Sequence, residues 1–537
     1  MSRRLRARSV PLVAVAALAA SCSEPAAPPT LLPDAAAPAA APPASRWLRD
    51  SIGYEIFVRS FADSDGDGSG DLRGVTARLD TLRELGVDLL WLTPIHPSPS
   101  YHGYDVTDYG AVHPDFGTLA DFSQLVEAAH RRGMRVLLDL VLNHTSNQHP
   151  WFVAANRGGS AAGRYLFRGD QPGWMWQGKP VWRSLGGQPP RSYLGLFSGV
   201  MPDLNLRDED TVRAMEDVIG LWLDRGADGY RLDAARYLIE WPDPVSAAAD
   251  KAPAFSDTAD THALLRRLRK TALGRRADAA LIGEVWTDLD TIARYAGSGD
   301  ELHGCFSFPL AGAVVDGLSR GAAAPLRDVL EHLSRSGTEP GFFLPFLSNH
   351  DQRRVASSVP GDALRLAATL LLGMPGTPFL YYGEELGLTQ AATAGDRGQR
   401  QSMPWDQVAA QQRDPGSLWQ HYRRLIELRR GTAALRSPAL LPLAPTGPSG
   451  QPDDRLLAFR RGDRPEGAVV AVYNLGTSAV SGAVLELPAD HPLGPVRDLL
   501  SDGARPPAVT DTTRRRYPLP ALPPRSALWL TPAAMTP

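Results

Sequence analysis

The sequence is short of cysteine, of net charge and of long apolar runs, and each shortage removes a class of protein. Two cysteines, Cys22 and Cys305, among 537 residues exclude a disulfide framework and a cysteine-rich zinc site. Lys+Arg 56 against Asp+Glu 59 leaves a net charge of −3, which argues against a nucleic-acid binder held by phosphate contacts. The apolar stretch 10–20 has eleven residues, too few to cross a hydrocarbon core of about 30 Å as a helix. What is present is an ordinary globular composition, 43% hydrophobic and 21% charged, on a chain long enough for roughly three domains.

That short apolar stretch follows Arg3, Arg4, Arg6 and Arg8; a basic start, a brief apolar run and small residues read as a secretory signal over 1–22. Its end, Leu18-Ala19-Ala20-Ser21-Cys22, resembles a bacterial lipoprotein signal, in which the cysteine becomes lipidated and N-terminal after cleavage. Ala19 stands where that pattern prefers a larger aliphatic residue, and an ordinary signal cleaved near Ala20 is the alternative. Of the 23 residues 23–45, 16 are Ala or Pro, a composition that cannot bury a core and behaves as a semi-extended spacer. The expectation is an exported monomer tethered to the bacterial envelope by a lipid on Cys22, or secreted if that lipid is missing, with Cys305 a small buried hydrophobe.

From 46 onward short apolar runs alternate with helical stretches, at 52–61, 87–95, 135–142, 229–232, 280–285, 305–310, 343–347 and 377–382. Amphipathic segments such as 119–132 and 210–225 lie between them. Eight such runs predict a (β/α)8 barrel or a doubly wound sheet. The long gap between Leu142 and Gly229, rich in Gly, Pro and Trp, predicts a small inserted domain over 144–202 after the third strand. A last helix fits 417–430, so the barrel spans 46–432. Short strand-like runs separated by Pro and Gly predict an all-β C-terminal sandwich over 433–537.

In a barrel of this kind the active site lies at the C-terminal strand ends. Asp139, Asn143 and His144 close the third run, Arg231 and Asp233 the fourth, Glu284 the fifth, His350 and Asp351 the seventh. One Asp after a strand is usually a helix cap; four strands finishing in carboxylates form a cluster. Arg231 and Asp233, two apart, point to the same side, and the Arg is expected to hold the Asp anionic, as a nucleophile requires. Val285 and Trp286 suggest an apolar setting for Glu284, which suits a general acid. A nucleophile and an acid/base about 5–5.5 Å apart define a retaining glycosidase.

The segments Asp139-Leu-Val-Leu-Asn143-His144, Gly229-Tyr-Arg231-Leu-Asp233-Ala-Ala, Gly283-Glu284-Val-Trp and Leu347-Ser-Asn-His350-Asp351 resemble, in order, the four signature regions of the α-amylase family of glycoside hydrolases. The resemblance covers 46–537. It implies Asp233 as nucleophile, Glu284 as acid/base and Asp351 as the third carboxylate, which holds the sugar's hydroxyls. It further implies that Tyr104, His144, Arg231 and His350, with His102, Asp139 and Arg400, line the substrate site. Without it, Asp351 is a second nucleophile candidate.

Which member of that family is read from flanking residues. Met201-Pro202-Asp203-Leu204-Asn205 resembles a further signature that mixes oligo-1,6-glucosidase and neopullulanase features, as an intermediate group containing bacterial α-amylases does. Tyr101-His102-Gly103-Tyr104 resembles the α-amylase form, without the Asp that closes the cleft of exo-acting α-glucosidases. Arg400 resembles the α-glucosidase partner of that missing Asp, and Ser402 replaces a usual Pro. The reading is endo-hydrolysis of α-1,4 bonds in α-glucans, with exo-α-glucosidase or oligo-1,6-glucosidase, neopullulanase and glucanotransferase as alternatives. A non-catalytic binding protein is the competing class, opposed by the full set Arg231, Asp233, Glu284 and Asp351. Trp174, Trp176 and Trp182 could stack on sugars, but packing of the insertion's own core is the stronger reading for each.

Asp63-Ser-Asp65-Gly-Asp67-Gly-Ser69-Gly-Asp71 sets carboxylates at alternate positions on a glycine-permitted loop, which suits Ca²⁺. An EF-hand would need Glu where Gly74 stands, so this is a different calcium loop; the family resemblance adds the Ser69 carbonyl as a ligand. A solvated acidic turn is the alternative. Asn143 and Asp203 match positions that hold a second, structural Ca²⁺ in many α-amylases, although members lacking the ion keep similar residues.

Overall fold

The computed structural model describes residues 43–186, 190–248, 251–392, 395–464, 467–488, 496–501 and 516–532. The signal, Cys22 and the spacer up to residue 42 lie outside the described residues. A helix begins at Pro43, three residues ahead of the expected barrel boundary.

Eight short runs, almost wholly buried, form the strands β1 (Gly53–Ile56), β2 (Leu89–Leu92), β3 (Arg135–Leu140), β4 (Gly229–Leu232), β5 (Ala280–Gly283), β6 (Gly304–Phe306), β7 (Phe343–Leu344) and β8 (Phe379–Tyr381). They lie in one parallel sheet ordered β7-β6-β5-β4-β3-β2-β1-β8. Phe346, just past β7, pairs with Phe379 of β8 and closes the ring, so the barrel alternative holds over the doubly wound one. The sixth apolar run overshoots its strand. Phe308 already opens the helix Phe308–Arg320, with Pro in its first turn.

Strand alternation divides the core. Leu89, Trp91, Leu137, Ala280, Ile282, Phe306, Leu344 and Phe379 turn inward and pack with Leu48 of the first helix. Leu90, Leu92, Val136, Leu138, Tyr230 and Leu281 face outward against the helices. Those helices are cut by local chemistry. Thr118 and Asp121 form a capping box at the start of Leu119–Arg131, and Asp208 caps Glu209–Asp224. Gly229 enters β4 at φ 147°, where a Cβ would lie 2.0 Å from the Ala280 carbonyl oxygen, so the β4–β5 approach requires glycine.

The insertion after β3 carries the helix Pro150–Asn156 and an antiparallel sheet ordered Phe167–Arg168, Arg191–Leu194, Trp182–Gly186. Trp174 and Trp182 are buried in its core, which fulfils the packing reading. Trp176 packs edge-on to Phe197 and Tyr237. Ala247 and Phe255, from the segment after β4, complete that core, so the insertion is not self-contained within 144–202.

Beyond the helices Leu418–Gly431 and Ala433–Arg436, five strands form an antiparallel sheet: β9 (Leu440–Leu443), β10 (Leu456–Arg461), β11 (Val469–Asn474), β12 (Val496–Asp498) and β13 (Ser526–Pro532), ordered β9-β10-β11-β13-β12. One face packs on the pair Val484–Glu486 and Arg516–Pro518 through Leu456, Ala458, Val470, Val472, Leu485 and Tyr517, giving the sandwich. The other face, with Leu457, Phe459, Ala471, Tyr473 and Trp529, joins the main core of the barrel. Because both faces are covered, β10 and β11 read as continuous apolar runs rather than alternating ones. Two buried arginines lie at this junction, and the second, Arg461, crosses it. Arg429 donates to the carbonyls of Leu372, Met374 and Gly376 at 2.5–2.8 Å, and Arg461 to those of Gly373 (2.5 Å), Ala439 (3.0 Å), Leu435 (3.2 Å) and Ser437.

Candidate active site

Inward-facing positions near the C-terminal strand ends switch from apolar to charged. Glu55 on β1, Trp91 on β2, Asp139 on β3 and Arg231 on β4 form a buried layer; Asp233 and Glu284 follow β4 and β5 directly above it. Arg231 is the hub. Its Nη1 donates to Asp139 Oδ1 at 2.8 Å and Asp233 Oδ1 at 2.6 Å, and its Nη2 lies 3.0 Å from Glu284 Oε2. Two carboxylates are thereby fixed on adjacent nitrogens of one planar fork, with the Ala234 N–H also donating to Glu284 Oε2 at 2.9 Å.

Across the mouth, His350 is wholly buried between three oxygens. Its Nδ1 meets Glu55 Oε1 at 2.5 Å, and its Nε2 meets the Tyr104 hydroxyl at 2.7 Å and Asp351 Oδ2 at 3.1 Å. Tyr104 donates its proton to Asp139 Oδ2 at 2.9 Å, and the Trp91 indole N–H donates to the same oxygen at 3.2 Å. Arg400 donates from Nε to the His350 carbonyl at 2.8 Å and from Nη2 to Asp351 Oδ1 at 2.7 Å.

These contacts decide the electrostatics. Burial lowers the tendency of His350 to protonate, but Asp351 and Glu55 outweigh it and raise its pKa to about 10, so the ring is a cation. Burial also raises the Asp351 carboxyl, yet His350 and Arg400 hold it well below the usual carboxylate range. Asp233 goes the other way. Burial and the charges of Glu284 and Asp139 push it well up, against Arg231. This corrects the expectation that Arg231 alone keeps Asp233 low, because three acids share that one guanidinium. With Glu55, Asp139, Asp233, Glu284 and Asp351 set against Arg231, His350 and Arg400, the buried site favours a retained proton that belongs to the cluster.

Three further expectations are corrected. Asp139 is fully buried beneath Arg231, Tyr104 and Trp91, so it positions those groups instead of facing substrate. Glu284 is set among hydrogen-bond donors, not in an apolar pocket, because Val285 turns into the core and Trp286 stacks on Phe308 at 4.4 Å. Arg231 likewise lies under the carboxylates, its fork spent on them. The remaining residues converge on the mouth. His102 stacks on Tyr104 at 6.2 Å, with Nδ1 accepting the Tyr104 N–H. His144, its pKa lowered to about 4 by burial, is neutral, and its Nε2 has no partner among the described residues. His113 caps the turn Pro114–Phe116, and His149 caps the helix Pro150–Asn156.

For the acidic loop, ligand atoms of Asp63, Asp65 and Asp71 lie within 4.8 Å of one another, a spacing that fits one hard cation. Asp67 stands outside that group, its Oδ1 accepting the Ser69 N–H at 2.7 Å, and Ser69 Oγ accepts from Arg59 at 3.1 Å. At the barrel–insertion junction, Asp203 Oδ1 and Glu240 Oε1 are buried with no partner among the described residues. Burial and Glu240 push Asp203 well up, and burial raises Glu240 to about 7. Asn143 sits alongside, its Nδ2 donating to the Tyr237 carbonyl at 2.6 Å while its own carbonyl accepts the Leu204 N–H. Orphaned carboxyl oxygens beside carbonyls are a donor set that fits a calcium ion.

Sequence reasoning missed Glu55, Trp91, Glu240 and Asp396. Glu55 had a signal, as the one charge inside an apolar strand, whereas Trp91 in Leu-Leu-Trp-Leu looked like any core residue.

A closed (β/α)8 barrel with paired carboxylates on one guanidinium and a third opposite defines a glycoside hydrolase. The chain belongs to the α-amylase family: the family model for the alpha amylase catalytic domain matches residues 55–437. It is 33% identical over 420 residues to alpha-amylase 3 of Dictyoglomus thermophilum, covering 72% of this chain and 79% of that protein. It is 33% identical over 475 residues to a probable alpha-glucosidase of Rhizobium meliloti, covering 73% of this chain and 84% of that one. The crystal structure of an alpha-amylase from H. orenii superposes on 90% of this chain and 99% of its own, at TM-score 0.74 and 30% identity. Relatives named for different activities leave the linkage and mode of attack to the site residues.

Proposed function

We propose that this enzyme is a retaining α-glucan hydrolase that cuts α-1,4 bonds within starch, glycogen and maltooligosaccharides. The observation that carries the chemistry is the pair Asp233 and Glu284 held on one Arg231 fork. An Asp233 oxygen attacks the anomeric carbon while Glu284 gives its proton to the leaving glycosidic oxygen, so the C–O bond breaks as the glycosyl–Asp233 bond forms. Water then attacks the same carbon, Glu284 takes its proton, and Asp233 leaves as carboxylate. Asp351, kept ionised by His350 and Arg400, accepts hydroxyl protons of the sugar and faces the developing positive charge. Neutral His144 offers an uncharged Nε2 to the same sugar.

Support for attack within the chain comes from position 101, where a partly exposed Tyr101 stands beside the cleft in place of an Asp. Trp286, about half exposed on the far side of Glu284 and stacked on Phe308, offers a platform for sugars on the leaving side. Digestion of a maltoheptaoside blocked at its non-reducing end tests the reading. Short α-configured products are expected; rapid maltose hydrolysis with the blocked chain intact would overturn it in favour of an exo-α-glucosidase, the reading that the buried Arg400 favours. Ca²⁺ is assigned by this proposal to Asp63, Asp65 and Asp71, and a second ion to Asn143, Asp203 and Glu240, where each would neutralise clustered carboxylates. Export and tethering through Cys22 belong to the same proposal and are checked by metabolic labelling with a radioactive fatty acid, which a Cys22→Ser variant should lose.

A further inference from the structure

The ring of His350 faces only acceptors, and that decides how many protons it must carry. On one side Nδ1 meets Glu55 Oε1 at 2.5 Å. On the other, Nε2 meets Asp351 Oδ2 at 3.1 Å and the Tyr104 oxygen at 2.7 Å. The phenol proton does not serve Nε2, because Tyr104 donates it to Asp139 Oδ2 at 2.9 Å. A neutral imidazole has one N–H and one lone pair, so either tautomer would set a lone pair against an oxygen acceptor. Two N–H groups satisfy every contact.

A ring with two protons needs a counter-charge on the side away from the sugar. Among the described residues only Glu55 meets Nδ1. It stands on β1, 2% exposed, in the layer beneath the catalytic carboxylates and out of reach of substrate. Burial raises its pKa, but its Oε1 also accepts the His350 backbone N–H at 3.2 Å, and two donors on one oxygen favour the carboxylate. The other groups acting on this pair are Asp351, Asp139, Arg231 and Arg400, with the Tyr104 and Tyr381 hydroxyls. Of these, Arg400 is shared with Asp396, 3.1 Å from its Nη1. We propose that Glu55 is a positioning residue for the hydrolysis: it keeps His350 doubly protonated and fixed in orientation, so that the Nε2–H stays available to Asp351 and to the sugar held there.

This inference rests on the glucan-hydrolase reading, and the test separates the two. The substrate is α-maltotriosyl fluoride, whose fluoride leaves as the anion without a proton from Glu284, so the acid/base drops out of the alkaline side. In the wild type kcat/KM should hold until His350 titrates at about 10. In Glu55→Gln the fall should begin about 1–3 pH units lower, the effect of one lost neighbouring charge. Glu55→Asp keeps the charge and should keep the wild-type profile at a lower rate. An unshifted profile in Glu55→Gln, or the same shift in both variants, overturns the inference. Should the variants fail to fold, spectra of the wild-type enzyme labelled with ¹⁵N-histidine decide at about pH 8, above the ordinary histidine value. The resonance missing from His350→Gln should report two protonated ring nitrogens, and a neutral ring overturns the inference while leaving the hydrolase reading intact. Wild-type enzyme inert on both starch and the fluoride overturns that reading first, and this one with it.

Discussion

Arg231 meets Asp139, Asp233 and Glu284 at once, so three acids share the charge of one cation. Asp233→Asn removes the attacking oxygen's charge while keeping its shape. The loss of kcat/KM should be about 10³-fold or more, the scale on which one member of a cooperating catalytic unit fails. Activity surviving within tenfold of wild type, in a folded variant, would rule out the nucleophile role. His350 supplies a pH test. Its folded value of about 10 lies above the unfolded value near 6.5, so its pairing with Glu55 and Asp351 stabilises fully below about pH 6.5 and is lost as pH rises through 10. Melting temperature should fall across that window in the wild type, and the His350→Gln variant should start lower and run flatter. Parallel curves would remove the buried imidazolium from the account.

Loops and strand ends translate composition into function at the next scale. The loop after β1 packs three carboxylates within 4.8 Å, and without a cation that arrangement is opposed by Coulomb repulsion. Chelation by EDTA should lower the melting temperature, and Ca²⁺ at 100 times its dissociation constant should restore about 2.7 kcal/mol. In Asp65→Ala the response to calcium should shrink; an EDTA-insensitive wild type would dismiss both proposed ions. The legible part of this site was the part written as spaced patterns: strand runs, the four end motifs, the Asp-Gly loop. Glu55 escaped because its partner His350 is 295 residues away, and Glu240 and Asp396 because they meet Asp203 and Tyr101 only in the folded chain, contacts that no local spacing encodes. The setting of Glu284 was misjudged for the same reason. Val285 and Trp286 are its neighbours in sequence but turn away from it in space, and the Ala234 N–H and Arg231 take their place.

At the scale of the molecule, barrel and C-terminal sheet share one hydrophobic core, and Arg461 of the sheet reaches the Gly373 carbonyl of the barrel. Heating should therefore give a single cooperative transition, and a chain ending at 437 should fail to fold, since the helix Leu364–Gly373 would lose Tyr473 and Trp529 from its surface. Two calorimetric transitions, or a soluble and active truncated barrel, would contradict this. Arg461→Ala strands the buried carbonyls of Gly373 and Leu435 and should cost about 2–4 kcal/mol, read by denaturant unfolding. Sharing a core in this way also constrains inheritance. The sandwich cannot be traded between related enzymes as a cassette, because the graft line runs through side chains that each half needs; a recombination there must carry the matching helices with it, and lineages should exchange the two parts together or not at all.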